Sequence, residues 1–156
     1  LDAALANFAE VIANDLHTDV AEIPGAGASG GLGAGLMGFF DARLRLGADI
    51  VLEAVSIEDH LVGAELVIVG EGQFDRSTVF NKSPVAVAQR AKKHGIPVIG
   101  IAGSLGAGFS EVHQHGIDAV FSLVNRPMSL KAAMEDTKRL VTIATEEACR
   151  AIAVET

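Results

Sequence analysis

Apolar positions change their rhythm along this chain, and the changes divide it into elements. In residues 1–14, Leu5, Phe8, Val11 and Ile12 recur at helical spacing. Asn14-Asp15 and His17-Thr18-Asp19 interrupt that pattern, and residues 24–35 follow with six glycines in twelve positions. Leu36-Met37-Gly38-Phe39-Phe40 is apolar, so the glycine loop feeds a helix predicted over 31–45, with Gly47 as its terminator. Four short apolar runs, at 50–52, 66–69, 97–101 and 119–121, predict buried strands. Between them the spacing turns helical. Ser56 with Asp59 resembles a capping box for a helix to Val62, and 84–94 has a proline in its first turn and Gly95 as its stop. A short helix over 109–115 ends at Gly116, and Ser129 caps a long helix over 130–153. Strand and helix alternate throughout 50–153. The expected fold is a single α/β unit over 1–156, a mostly parallel sheet between helical layers, with helices on both faces.

Bulk composition narrows the partners. Twelve Lys plus Arg against twenty Asp plus Glu give a net charge of −8, and no basic patch interleaved with aromatics occurs. Nucleic acid is not an expected partner. No apolar run approaches the roughly 18–20 residues of a membrane span, and no signal peptide is visible. The one cysteine, Cys149, leaves no disulfide framework or CxxC metal site and fits a reducing, cytoplasmic setting. The chain opens directly into a helical pattern without an initiator Met, as a piece of something longer would.

In a parallel sheet, ligands sit beyond the C-terminal ends of the strands. Three segments therefore matter: 70–78, 102–108 and 122–127. Glu71 and Asp75 lie in the first, where a carboxylate can accept a proton from a substrate hydroxyl or help hold Mg²⁺ through water. Alternatively, Asp75 caps a turn and Glu71 is solvated. Thr78 and Lys82 offer a hydroxyl and a cation to a phosphate, although Lys82 alone reads as a surface lysine. Gly103 and Ser104 open a second segment that is either an anion cradle or a plain turn. In the glycine tract, Gly27, Ala28, Ser29, Gly30 and Gly31 sit where helix-initiating N–H groups point at one spot, which suits an anion. The other reading is a Gly/Ala-rich helix packed close to a neighbour. Gly25, Gly27 and Gly30 match a dinucleotide fingerprint literally but lack its preceding strand, and no Gly-Lys-Ser/Thr makes a Walker loop. His17 has no second His or Cys at metal spacing, and His113 and His115, two apart on a helix, point to different faces and do not form a metal pair.

Three segments in order carry a resemblance: PGAGASGGLGAGLMGF, then VIVGEGQFDRST with NKSPVAVA, then GIPVIGIAGSLG with GIDAVFSLVNRPMSL. Together they resemble the C-terminal portion of the bacterial glycerate kinases, over essentially the whole chain. The resemblance implies a kinase of two α/β domains, one Rossmann-like, with its active site in the cleft between them, using ATP and Mg²⁺. It implies glycerate as substrate and the remainder of a longer chain as partner, and it is compatible with a homo-oligomer. The family's N-terminal motifs of the types DSFKGS, DGGEGT and GGSATND do not occur here, so a fragment inactive by itself is expected. On this reading the 25–35 loop binds an anionic group, Asp75 positions or deprotonates the hydroxyl, and Glu71 supports it or joins the Mg²⁺ shell. Thr78, Lys82, Gly103 and Ser104 supply further phosphate or substrate contacts. Where the family reads GEGxxDxQT, this chain has Ser77 for Gln, and Asn81 stands where relatives often have Gly. A non-catalytic Rossmann-type nucleotide- or phosphoester-binding module is the alternative, with a nicotinamide-binding domain third.

Overall fold

The computed structural model describes residues 1–80 and 82–154, so the reading of Asn81 as a turn residue falls outside them. The chain forms two units, Leu1–Leu46 and Gly47–Thr156.

The first unit is a helix pair. Helix α1 (Asp2–Leu16) turns Phe8, Ile12 and Leu16 to one side, and Ile12 is fully buried among Val20, Ala26, Ala34 and Met37. Helix α2 (Ala28–Phe40) lies against it on its small residues. A Cβ at Gly31 would come within 3.0 Å of Leu5 Cδ2, and one at Gly38 within 2.9 Å of Ile12 Cγ2. The packed-helix reading of the glycine tract thus holds for these positions. The helix stops at Phe40 instead of the expected residue 45, because Asp41 turns left-handed (φ 51°) and returns its N–H to Met37.

In the second unit, 50–52 is helical, a correction of the expected strand. Helix α3 (Gly47–Ala54) buries Leu52 and leaves Ile50 and Val51 exposed, so the β-branched pair never meets a sheet. Gly47 begins this helix instead of ending the previous one. Helix α4 (Ile57–Leu61) follows, but Ser56 makes no side-chain cap bond and the expected capping box is absent.

Strands β1 (Val67–Phe74), β2 (Val98–Leu105) and β3 (Ala119–Ser122) form a parallel sheet in the order β1-β2-β3. Three of the four expected strands are present, and two run longer than the apolar runs that announced them. The segments 70–74 and 102–105, expected as loops, are paired strand, from Glu71 with Ala102 to Phe74 with Leu105. Helix α5 (Ser83–Lys93) covers one face, packing Val85, Ala88 and Ala91 with Val98 and Ala102. Alternate residues Ile99 and Ile101 meet Ala144 and Ala148 on the other face. That alternation is what a sheet sandwiched between helices requires. Phe109–His115 is a 3₁₀ segment ended by Gly116, as placed from sequence. Ser129 caps helix α6 (Leu130–Glu135), its Oγ accepting from the Ala132 N–H at 3.2 Å. The expected long helix is interrupted at Asp136 and continues as α7 (Thr137–Ala153), the helix that carries Ala144 and Ala148.

Phe74 is fully buried, and its ring occupies the space over Gly100: a Cβ there would lie 2.5 Å from Phe74 Cε2 and 3.2 Å from Val120 Cγ1. Gly100→Ala is therefore expected to displace the ring and cost about 1–3 kcal/mol, the scale of overpacking a core. Urea unfolding of wild type and variant measures this, and equal midpoints would refute the packing account.

Candidate functional site

Strands β1 and β2 approach closely where both carry glycine. A Cβ at Gly103 would meet the Gly72 carbonyl oxygen at 2.5 Å, so only glycine fits. The register places Glu71 beside Ala102 and Gln73 beside Ser104, at the C-terminal end of the sheet. There a cavity of about 560 Å³ opens, lined by Glu71, Gly72, Gly103 and Ser104 and by side chains from the 123–130 segment, α6 and the first turn of α7. Glu71, Gly103 and Ser104, expected from sequence as site residues, come together in it. Among the described residues, neither Glu71 nor Ser104 has a side-chain hydrogen bond or ion pair. Leu123, Met128, Leu130 and Met134 complete the wall. Sequence reasoning missed these four. The available signal was apolar residues flanking a proline-containing loop just after a strand, two of which, Leu130 and Met134, stay 77% and 68% exposed.

Asp75 lies outside that cavity, in an open hollow with Gln73, Arg76, Ser77, Gly106 and Ala107. It caps the 3₁₀ turn Arg76–Val79: Oδ1 accepts from the Ser77 N–H at 2.8 Å and from Ser77 Oγ at 2.6 Å. In return, the Asp75 N–H donates to Thr78 Oγ1 at 3.1 Å. Thr78 is fully buried, so its hydroxyl is spent on shaping the loop and does not face a ligand. The turn-capping role weighed for Asp75 is thus present in the geometry. Ser77, the departure from the family's glutamine, is the residue that holds the carboxylate. The chain ends of β1 and β2 are tied together beyond it, with Gly106 N–H on Phe74 O at 2.7 Å and Arg76 N–H on Ala107 O at 3.1 Å. Arg76 Nε adds a 2.9 Å ion pair to Glu111.

These bonds hold the Asp75 carboxyl below the usual carboxylate range. The Ser77 hydroxyl contributes most, then the Ser77 N–H, with the positive charge of Lys82 adding to them. Lys82, at the N-cap of α5, is thereby placed in the electrostatic neighbourhood of Asp75.

In the first unit, Ser29, Gly30 and Gly31 all adopt left-handed backbone, with φ of 52°, 72° and 93°. For Ser29 this conformation costs on the order of 1–2 kcal/mol. The N–H groups of Ala28 and Gly31 are satisfied by Gly25 O and Gly27 O. Those of Ser29 and Gly30 make no bond to a carbonyl outside α2 among the described residues, and both residues are exposed. Open space surrounds a Cβ built at Gly30, unlike the packed Gly31. The tract therefore divides into packing glycines and a strained, accessible turn.

The model for the glycerate kinase family matches residues 1–153. The chain belongs to the glycerate kinase family. It is 51% identical over 154 residues to a glycerate kinase of Halalkalibacterium halodurans, covering 99% of this chain and 40% of that protein. To the glycerate 2-kinase of Escherichia coli K12 it is 52% identical over 80% of this chain and 32% of that protein. A crystal structure from Salmonella typhimurium LT2, described as a glycerate kinase 2, superposes with a TM-score of 0.73 at 42% identity, covering 98% of this chain and 39% of that one. The chain thus spans about two fifths or less of the length of these relatives.

Two groups implied by the family can be tested against the residues present. Among the described residues, no set of three or more His, Cys, Asp or Glu is arranged to hold a metal ion. Glu71, a carboxylate without a partner among the described residues, is of the type that binds Mg²⁺ together with phosphate oxygens. For a nucleotide, the Ser29 and Gly30 N–H groups, with no carbonyl partner outside α2 among the described residues, fit phosphate oxygens. No helix among the described residues is long and apolar enough to cross a membrane.

Because Asp75 is depressed in the folded state, its favourable contribution is present above its unfolded pKa and is lost as pH falls through its lower folded pKa. Ser77→Ala removes the largest cause. The Asp75 pKa is then expected to rise toward the ordinary aspartate value, read by carboxyl ¹³C NMR titration. An unchanged titration would mean that Ser77 does not hold the carboxylate.

Proposed function

We propose that the protein containing this chain is a glycerate kinase that transfers the ATP γ-phosphoryl group to a hydroxyl of D-glycerate, giving phosphoglycerate. The observation that carries this reading is the family match over residues 1–153, and the free polar groups gathered at the strand ends of the sheet agree with it. This chain supplies part of the active site and the remainder of a longer, cytoplasmic protein supplies the rest. ATP brings the phosphoryl group when bound, and Mg²⁺ brings the counter-charge.

The residues of this chain do the positioning that such transfers depend on. Asp75, held in one orientation by Ser77, accepts a hydrogen bond from the reacting hydroxyl and orients it. Its lowered pKa makes it a weak base at neutral pH, so alignment is its main contribution and proton acceptance accompanies bond formation. Lys82 offsets negative charge near Asp75, and Thr78 keeps the loop in shape from inside. Glu71, without a partner among the described residues, is free to accept a hydrogen bond from a bound hydroxyl or to join the Mg²⁺ shell. Gly103 keeps the strand ends close, and Ser104 offers a hydroxyl at the same edge. Within the 27–31 turn, Gly27 and Ala28 set the entry and the Ser29 and Gly30 N–H groups hold an anion, phosphate or carboxylate.

The test is a coupled ADP-release assay on the full-length protein, with D-glycerate against L-lactate and glycerol. Glycerate-dependent release is expected. ADP release that ignores glycerate would overturn the substrate, and nucleotide binding without transfer would favour a non-catalytic module.

In that assay, Asp75→Asn is expected to lower kcat at least ~100-fold while thermal stability changes little. Near-normal kcat would leave Asp75 as a turn cap only. The isolated 156-residue chain is expected to release no ADP with glycerate, and measurable turnover by it would contradict the shared active site.

In the glycine tract, Gly30→Ala should weaken anion binding with a modest stability loss of about 1 kcal/mol from its left-handed φ. Gly31→Ala should act mainly through unfolding, because its Cβ presses on Leu5 and Phe8. Nucleotide titrations beside urea unfolding separate the two, and identical behaviour of the variants would remove the distinction.

A further inference from the structure

The cavity at the strand ends is unequal from end to end. Its polar pole is formed by Glu71 and Ser104, whose side chains have no partner among the described residues. The two other polar side chains on its wall are already engaged. Ser129 Oγ accepts from the Ala132 N–H, and Thr137 Oγ1 donates to the carbonyls of Ala133 and Met134 at 3.0 and 2.8 Å. Everything else that meets the cavity with a large side chain is apolar: Leu123, Val124, Met128, Leu130, Met134 and Leu140.

A three-carbon hydroxy acid has little apolar surface, one CH and one CH₂, to place against that wall. Its carboxylate would meet no cationic side chain there, since no Lys or Arg lines the cavity, and it would face Glu71. The volume of about 560 Å³ also exceeds what so small a molecule needs and falls within the roughly 300–1,000 Å³ of organic-ligand pockets. A nucleoside matches both ends. Its flat base buries ring surface against two methionines, which adapt to aromatic faces, and its sugar hydroxyls can donate to a carboxylate.

We propose that this cavity is the nucleoside pocket, with the base among Leu123, Met128, Leu130 and Met134 and the sugar at the Glu71–Ser104 end. The assignment rests on the kinase reading only for the identity of the nucleotide as ATP.

The test uses the full-length protein and two variants. Ala133→Phe places a ring in the cavity from a half-buried position on α6, and Met134→Glu puts a charge on its wall at a position 68% exposed, where the core is not touched. Calorimetric titration with adenosine, which carries no phosphate, reads the base pocket alone, and D-glycerate is titrated in parallel. Each variant is expected to bind adenosine roughly tenfold or more weakly, with glycerate affinity and melting temperature retained. Wild-type affinity for adenosine in Met134→Glu and in a folded Ala133→Phe protein would overturn the assignment. So would loss of glycerate affinity with adenosine binding intact, which would make the cavity the acceptor site. If adenosine binding falls as expected while wild type fails to phosphorylate glycerate, the pocket stands and the glycerate reading falls. If wild type phosphorylates glycerate while both variants bind adenosine normally, the reverse holds.

Discussion

The close approach of β1 and β2 at Gly72 and Gly103 is the constraint on which the strand-end geometry depends. Parallel pairing continues through glycines where the apolar runs have already ended, so the sheet carries Glu71 and Ser104 to its edge on ordered backbone. Had the chain left the sheet at Gly70, these side chains would sit on a loop whose position nothing fixes. Beyond the edge, the Gly106–Phe74 and Arg76–Ala107 backbone bonds keep the two strand exits together. Asp75 is then held by Ser77 and Thr78 within that frame. Groups that must align a small substrate gain from being fixed on rigid elements, because misplacement of about 1 Å is costly in rate.

Glycine serves two ends in this chain, and they separate residue by residue. Gly31 and Gly38 let α2 lie close on α1, while Ser29 and Gly30 form a left-handed turn of exposed residues. Ser29 at φ 52° carries a local backbone cost that it shares with His17, Asp41 and Ser56 among the described residues. In the sheet, Gly100 yields its space to the Phe74 ring, whose complete burial anchors the last residue of β1 directly before Asp75.

Much of this was legible in the residues. Three strands, the proline-led α5, the 3₁₀ segment stopped by Gly116 and the Ser129 cap all followed from local signals that tertiary packing did not oppose. The run 50–52 misled because β-branched residues favour strands only when a sheet is there to receive them, and here only Leu52 finds a core. Glycines at 70, 72 and 103 read as loop, since the sequence does not reveal that two glycine-bearing strands meet each other. The strand-end location of Glu71, Gly103 and Ser104 was foreseeable from the general rule for parallel sheets. That Asp75 lies apart from them, bonded to Ser77, was not: it depends on the exact turn after β1. The apolar wall from 123 to 134 was missed because exposed Leu and Met in a short helix look like ordinary surface until the cavity beneath them is seen.

On the proposed function, the turn after β1 that holds Asp75 is where the acceptor hydroxyl is aligned for phosphoryl transfer. A crystal structure of the full-length protein with D-glycerate and a non-hydrolysable ATP analogue tests it most directly. The account predicts a glycerate hydroxyl within about 2.6–3.2 Å of an Asp75 carboxylate oxygen. Glycerate bound elsewhere, with Asp75 still engaged only by its own turn, would contradict it.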